Sequence, residues 1–207
     1  MYADKSITEF LAELSSRSPT PGGGSAAALS GAIGASLVCM VCNLTVGKEK
    51  YKAVEAEMQD ILGKAERLRD ALLGQIPADI AAYNGVAAAS KLPRNTDEEK
   101  AARTAALQQA LKNATQPPLE IARLCAQVME LCRPVGEKGN VSAVSDAGVG
   151  IAVAEAGLRS AALNVKINLG LIKDPAFVAE AQQTLDGYLA GKTTLKEEVL
   201  QLVESKL

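Results

Sequence analysis

Residues 18–47 read SPTPGGGSAAALSGAIGASLVCMVCNLTVG and contain no charged side chain. A run of this length could span a membrane. However, prolines and glycines open it, serines recur along it, and its apolar content is mostly alanine. Ser30 and Gly34, like Gly31 and Ala35, lie four positions apart and would let another helix approach closely. We therefore predict a helix buried at the centre of a soluble bundle.

The overall composition also favours helices. Of 207 residues, 48% are hydrophobic and 22% charged, which excludes a disordered chain, yet only 3% are aromatic. Alanine and leucine dominate, whereas sheets favour β-branched and aromatic side chains. No alternating strand pattern and no internal repeat is found. We predict an all-α fold, a single-domain helical bundle over residues 1–207 with long Ala/Gly-rich central helices.

Helix starts and stops can be located along the first half of the chain. Ser6-Ile-Thr-Glu9 is a capping box, followed by apolar residues at helical spacing. An amphipathic helix is predicted over 48–74, with an apolar face that suits core packing or an oligomer seam. Pro77 predicts a break or kink before a further helix over 79–92.

The second half shows similar signals. Thr96-Asp-Glu-Glu99 is a second capping box, and Pro117-Pro118 predicts an interruption of the helix that it opens. A second Ala/Gly-rich stretch covers 141–172. Asp174-Pro175 is a typical helix start, and one last helix is predicted from there to about Leu207.

Several function classes are excluded or disfavoured by composition. The chain has no histidine, so histidine-based triads and the HExxH zinc site are ruled out. The net charge of −2 gives no basic surface for nucleic acid. Met1–Glu13 carries charges and no apolar core of a signal peptide, so we expect a cytoplasmic protein. The four cysteines, which lie on predicted helices rather than in knuckles, are expected to be core residues and not zinc ligands. They are Cys39, Cys42, Cys125 and Cys132.

The glycine-rich loop is the first candidate site. Pro21-Gly22-Gly23-Gly24-Ser25 leads directly into the neutral helix. Backbone N–H groups and the helix dipole at such a start favour an anion. The alternative is an ordinary helix start, in which Ser25 is the N-cap and the glycines form a tight turn.

Isolated polar residues form a second set of candidates. Asp79 lies one helical turn before Tyr83, and Asp146 follows Ser145 at the head of the second Ala/Gly-rich stretch. Structural alternatives exist for all of them: a solvated face for Asp79, a helix-start carboxylate for Asp146, and a helix-end cation for Lys48. The remaining candidates are amides, which could instead bridge helices within the bundle. They are Asn164 and Asn168, which lie four positions apart.

An ordered set of motifs resembles the cyclodeaminase/cyclohydrolase family. Nearly the whole chain is covered, although no single motif decides the matter. The matching segments are PTPGGGS (19–25), MVCNLTVGK (40–48) with Tyr51, DIAAY (79–83), LPRNTDEEK (92–100), SDAG (145–148) and ALNVKIN (162–168).

The resemblance implies a helical homodimer that acts on folate without a metal or redox cofactor. From composition and charge, no membrane or nucleic-acid partner is expected. The expected reaction is hydrolysis of 5,10-methenyltetrahydrofolate to 10-formyltetrahydrofolate, because the sequence contains no formiminotransferase domain. The alternatives are a cyclodeaminase that releases ammonia from formiminotetrahydrofolate, and a non-catalytic helical oligomerisation protein.

Hydrolysis needs a proton acceptor, a proton donor and groups that hold the pterin and the glutamate tail. Asp146 or Asp79 is expected to stabilise the substrate cation or accept the proton of water, while the other holds the pterin edge. Lys48 and Tyr83 could move the proton or orient water. The expected substrate-binding residues are Pro21, Gly22, Gly23, Gly24, Ser25, Asn43, Ser145, Asn164 and Asn168.

Overall fold

A computed structural model describes residues 5–207 of the protein. This range is built from α-helices and short 3-10 segments and contains no strand, so the predicted all-α bundle is confirmed. The first four residues of the Met1–Glu13 segment lie outside the described range. The helices are α1 (Ile7–Leu14), α2 (Gly23–Asn43), α3 (Glu55–Ser90), α4 (Asp97–Lys138), α5 (Val144–Leu169), α6 (Pro175–Leu189) and α7 (Lys192–Glu204).

Helices α2 and α5 form an antiparallel pair at the centre of the bundle. A Cβ placed on Gly34 would lie 2.9 Å from the carbonyl oxygen of Gly150, and one on Gly157 would lie 2.9 Å from that of Ala27. The two backbones therefore approach so closely that only glycine fits without a shift. Small residues in the neutral run thus serve the close helix packing that the sequence predicts.

Both central segments are long and apolar enough to cross a membrane by length and composition. In the most apolar window of each, however, 61% of Gly23–Asn43 and 50% of Val141–Leu169 is buried inside the fold. Side chains of α3 and α4 cover the two central segments. For example, the buried Leu72 and Cys125 pack against Gly31. This burial supports the prediction of core helices.

A helix break at Pro77 and the predicted interruption at Pro117-Pro118 are both wrong. Pro77 lies inside α3, and Pro117, Pro118 and Pro134 lie inside α4, which is continuous over 42 residues. A proline inside a helix removes one hydrogen bond and crowds the preceding turn. Here burial of the apolar residues that follow in α4, such as Ile121, outweighs that cost.

Two helix boundaries also differ from the prediction. A 3-10 segment over Glu49–Val54 precedes α3, which begins at Glu55 rather than at Lys48. The predicted last helix is two helices, because Gly191 adopts a positive φ of 70° between α6 and α7. That left-handed conformation favours glycine and ends the run. Both capping boxes and the Asp174 N-cap are confirmed.

The apolar face of α3 points inward and so provides core packing. Met58, Ile61, Ala65 and Leu72 are all buried. This face is therefore not available as an oligomer seam. The four cysteines are likewise buried and unpaired, and burial raises the pKa of the Cys42 and Cys125 thiols to about 12.

Candidate active site

A cavity of about 360 Å³ opens at the end of the bundle where α2 begins. Small-molecule sites typically occupy about 300–1,000 Å³. The cavity brings together the glycine-rich loop, the second half of α3, the middle of α4 and the end of α5. Its lining residues are Pro19, Thr20, Gly22, Gly23, Gly24, Asp79, Ala82, Tyr83, Val86, Leu111, Ala114, Pro118, Asn164, Ile167, Asn168 and Leu171.

The carboxylate of Asp79 occupies the N-terminal end of α2. The hydroxyl of Ser25 donates a hydrogen bond to Oδ2 of Asp79 at 2.9 Å, and the backbone of Ser25 contributes a second one. A Cβ on Gly24 would lie 2.1 Å from Oδ1 of Asp79, so the carboxylate needs glycine there. The N–H groups at this end thus already face an anion, supplied by α3.

This arrangement changes how the glycine-rich loop is understood. Ser25 is completely buried inside α2, and Gly22 is the N-cap, so the expected alternative of a Ser25 cap is wrong. The Ser25 side chain contacts Asp79 and does not line the cavity. Pro21 is buried after a cis Thr20–Pro21 peptide bond and does not line the cavity either, whereas its neighbours Pro19 and Thr20 do.

Asp79 meets no positive charge within the described chain. Burial raises the pKa of its carboxyl above the ordinary value, and the two hydrogen bonds from Ser25 oppose that rise. No lysine or arginine lines the cavity, and Asp79 has no ion-pair partner among residues 5–207. A half-buried carboxylate without a neighbouring cation favours a ligand that brings positive charge or N–H donors.

Tyr83 lies one turn beyond Asp79 and lines the same cavity, as the spacing predicts. Its ring remains 44% exposed at the mouth. Apolar side chains from three helices complete the walls, among them Val86, Leu111 and Ile167. Apolar walls with a few polar groups suit an aromatic heterocycle.

The two asparagines of α5 also reach the cavity. Nδ2 of Asn164 donates to the carbonyl of Ser160 at 2.8 Å, and Nδ2 of Asn168 donates to the carbonyl of Ala114 in α4 at 2.8 Å. Their amide nitrogens therefore bind backbone. Asn164 also packs against Gly23, where a Cβ would lie 3.4 Å from its Nδ2.

The other predicted site residues lie at the opposite end of α2 and α5. Asp146 precedes Asn164 by 18 positions of the same helix, a separation of about 27 Å. Asn43 ends α2, and Lys48 follows it. Because α2 and α5 are antiparallel, these residues share one end of the bundle with Ser145 and Asp146. None of the four lines the cavity.

A network that the sequence does not reveal joins the segments at that end. The hydroxyl of Tyr51 donates to Oδ1 of Asn140 at 3.3 Å and accepts from the N–H of Val141 at 3.1 Å. The backbone N–H of Asn140 donates to Oγ1 of Thr45 at 2.8 Å, and its Nδ2 donates to the carbonyl of Leu44. The Lys48 segment is thereby tied to the start of α5.

Sequence reasoning also missed the apolar lining residues. The signal that could have identified them is helical spacing from the polar candidates. Ala82 and Val86 follow Asp79 at steps of three and four, and Ile167 and Leu171 follow Asn164 in the same way. Nothing in the sequence places Leu111 or Pro118 beside them, because that depends on how α4 packs.

Comparisons with known proteins agree with these observations. The family model described as formiminotransferase-cyclodeaminase matches residues 6–187. A protein from Methylorubrum extorquens named methenyltetrahydrofolate cyclohydrolase is 51% identical over 100% of both chains. A formimidoyltransferase-cyclodeaminase from Rattus norvegicus is 32% identical over 98% of this chain, which spans only 38% of that relative.

A solved structure gives the same result for the fold. The crystal structure of formiminotetrahydrofolate cyclodeaminase from Thermotoga maritima matches with a TM-score of 0.89 and 29% identity. The match covers 99% of this chain and 98% of that one. The bundle and its long central helices are therefore shared with a solved relative.

Proposed function

The chain belongs to the formiminotransferase-cyclodeaminase family, as the resemblance of its motifs predicts, and we propose that it is a methenyltetrahydrofolate cyclohydrolase. It hydrolyses 5,10-methenyltetrahydrofolate to 10-formyltetrahydrofolate. The full-length identity of 51% to the Methylorubrum extorquens cyclohydrolase supports this reaction over ammonia release. The structural observation that carries the proposal is the half-buried carboxylate of Asp79, which faces a cavity without a lysine or arginine in its lining.

The substrate fits these properties. Its five-membered ring contains a delocalised N–C–N cation, and its pterin ring presents N–H donors along one edge. Water adds to the central carbon of the cation, a base accepts one proton of that water, and one C–N bond then opens to leave the formyl group. The net reaction consumes one water and releases one proton, with no change of oxidation state. No metal or redox cofactor is needed, so EDTA should leave the turnover number unchanged.

We assign Asp79 to the pterin. A carboxylate accepts two parallel hydrogen bonds from an aminopyrimidine edge, as it does from a guanidinium group. Ser25 positions Asp79 from behind, and the apolar walls from α3, α4 and α5 enclose the ring. Tyr83, at the mouth of the cavity, is the group of this chain that could orient water or substrate there.

Asp146 and Lys48 are assigned to the proton transfers. A base near the cation accepts the water proton, and a cationic or hydroxyl group returns a proton to the leaving nitrogen. Asp146 provides the base and Lys48 the cationic proton donor. Ser145 and Asn43, near them in the sequence, are assigned to bind substrate or water. Within one chain this group lies about 27 Å from the cavity along α5, so a single copy does not join the two halves.

We propose that a homodimer joins them. Several hydrophobic side chains are exposed on α2 and α5 and just beyond their C-terminal ends, and we take them together as one strip of the interface. Exposed apolar surfaces of this kind typically mark interfaces. The strip consists of Ile33, Met40, Leu44, Val149, Leu163, Ile167 and Leu171.

The direction of the helices sets what such a dimer would do. A two-fold axis perpendicular to the α2 and α5 axes would place the Asp146 end of one copy against the cavity end of its partner. Each dimer would then contain two complete sites, each with Asp79 from one copy and Asp146 from the other. The four buried, unpaired cysteines support a location in the reducing cytoplasm.

Loss of the methenyl chromophore tests the reaction. We expect purified protein to accelerate its decay far above the buffer rate. Ammonia release from formiminotetrahydrofolate, without acceleration of methenyl decay, would instead establish the cyclodeaminase named among the relatives. Inactivity on both substrates would favour the non-catalytic alternative.

A further inference from the structure

Pro118 creates a defect in α4 beside the cavity. In an unbroken helix the N–H of residue 118 would bond the carbonyl of Ala114, but proline has no N–H. Ala114 is buried, so its freed carbonyl has little access to water. The neighbouring Pro117 frees the carbonyl of Asn113, which is an exposed residue and can be hydrated.

Asn168 fills the defect. Its Nδ2 lies 2.8 Å from the carbonyl oxygen of Ala114. Because a carbonyl oxygen only accepts, the amide nitrogen of Asn168 must face it, and this fixes the orientation of the amide. The amide oxygen then faces away from that carbonyl, on a side chain that lines the cavity together with Asp79.

We propose that Oδ1 of Asn168 is a fixed hydrogen-bond acceptor for the pterin ring. Pro118 fixes its orientation, because the carbonyl that Pro118 leaves free binds Nδ2 of the same amide. Together with Asp79, this Oδ1 presents acceptors on two walls of one cavity, which match a ring edge bearing adjacent N–H donors. This inference rests on the proposed function. A ring that places acceptors at the same positions is rejected, because its acceptors and those of the protein would face each other without a hydrogen between them.

A purely structural role for Asn168 must be separated from ligand recognition. Pro118→Ala restores an N–H at position 118. This N–H can bond the carbonyl of Ala114, which then no longer needs the amide of Asn168. The informative comparison is therefore between Asn168→Ala in the wild-type chain and the same change in the Pro118→Ala chain. Pro117→Ala is the matched control, because it restores an N–H to a different carbonyl.

The readouts are the melting temperature without ligand and the Kd for tetrahydrofolate, which carries the pterin edge. We expect Asn168→Ala to lower the melting temperature in the wild-type and Pro117→Ala chains but much less in the Pro118→Ala chain. We expect Kd to rise roughly 3- to 10-fold in the wild-type and Pro117→Ala chains, the loss of one neutral hydrogen bond, and to rise measurably but less in the Pro118→Ala chain, where the amide is free to turn.

The outcomes distinguish this inference from the proposed function. An unchanged Kd on adding Asn168→Ala to the Pro118→Ala chain would overturn the inference, since Asn168 would then be only structural. Absence of wild-type turnover on 5,10-methenyltetrahydrofolate would overturn the proposed function while the Kd comparison still decides the role of Asn168. If wild-type protein does not bind tetrahydrofolate at all, the inference fails, while turnover of 5,10-methenyltetrahydrofolate still decides the proposed function.

Discussion

The hydroxyl of Ser25 donates to Oδ2 of Asp79 at 2.9 Å, which links two residues that lie 54 positions apart in the sequence. The bond joins the start of α2 to the middle of α3 and holds a carboxylate against the N-terminal end of the central helix. Helix dipole and hydrogen bonds favour the negative charge there, whereas burial opposes it. The cavity gains a polar group that has no counter-ion of its own.

Gly24→Ala should displace that carboxylate. A Cβ at this position would lie 2.1 Å from Oδ1 of Asp79, so Asp79 must leave Ser25 or α2 must shift. We expect at least a tenfold rise in KM for 5,10-methenyltetrahydrofolate and a lower melting temperature. Gly74→Ala in α3 is the control, because a Cβ there meets nothing within 4 Å. It should stabilise the protein by about 0.5–1 kcal/mol and leave KM unchanged.

The stability of the protein should depend on Asp79 and pH in a defined direction. Because the pKa of Asp79 is raised in the folded state, protonation of Asp79 favours folding. This contribution to the free energy of unfolding is fully present below the ordinary pKa of 3.8. That contribution is lost as pH rises through the folded-state pKa. Asp79→Asn should therefore raise the melting temperature at pH 7, by about 2–4 °C for each kcal/mol relieved.

Melting temperatures of wild type and Asp79→Asn between pH 4 and pH 8 check this. The difference in melting temperature between the two proteins should narrow as pH falls towards 4. A variant less stable than wild type at pH 7 would mean that the hydrogen bonds from Ser25 outweigh the cost of burial.

The sequence was sufficient for the fold class, the central helices and the N-caps of α1, α4 and α6, because these depend on local pattern and composition. It failed at Pro117-Pro118, where the cost of two prolines is offset by distant packing and, for one of them, by Asn168. It also failed at Ser25, which has the chemistry of a substrate ligand or a cap but is buried against Asp79. In both cases the deciding partner comes from another helix.

The candidate site was likewise predictable only where it depends on a single helix. Helical spacing paired Asp79 with Tyr83 correctly, because both lie on one face of α3. It could not show that Asp146 lies at the opposite end of the bundle, since that follows from the antiparallel pairing of α2 and α5. The sequence therefore indicates which residues are unusual, and packing indicates which of them can meet within one chain.

A mixture of two inactive variants tests the shared site. If each site uses Asp79 from one copy and Asp146 from its partner, Asp79→Asn and Asp146→Asn should each abolish or greatly reduce activity. After subunit exchange of an equimolar mixture, half of the dimers are mixed and each keeps one intact site, so about a quarter of wild-type activity should return. A mixture as inactive as its parents would rule out sites shared in this way.

Tyr51→Phe should affect turnover more than substrate binding. The Tyr51 hydroxyl bonds Asn140 and Val141 and so holds the Lys48 segment against the start of α5. Its loss should lower kcat about threefold or more by misplacing Lys48 relative to Asp146, with KM little changed. Tyr188→Phe on α6 is a matched control outside both clusters and should leave kcat unchanged. Equal kcat values for the two variants would remove Tyr51 from the site.

The central claim is that the cavity around Asp79 binds the substrate of a methenyltetrahydrofolate cyclohydrolase. The most direct measurement is the decay of the methenyl chromophore over a range of substrate concentrations, with wild type and folded Asp79→Asn compared against buffer. We predict rapid decay with wild type and a loss of at least 100-fold in kcat/KM for Asp79→Asn, the scale of about 3 kcal/mol expected when a charged hydrogen-bond partner is removed. Wild-type kinetics retained by Asp79→Asn would contradict the account.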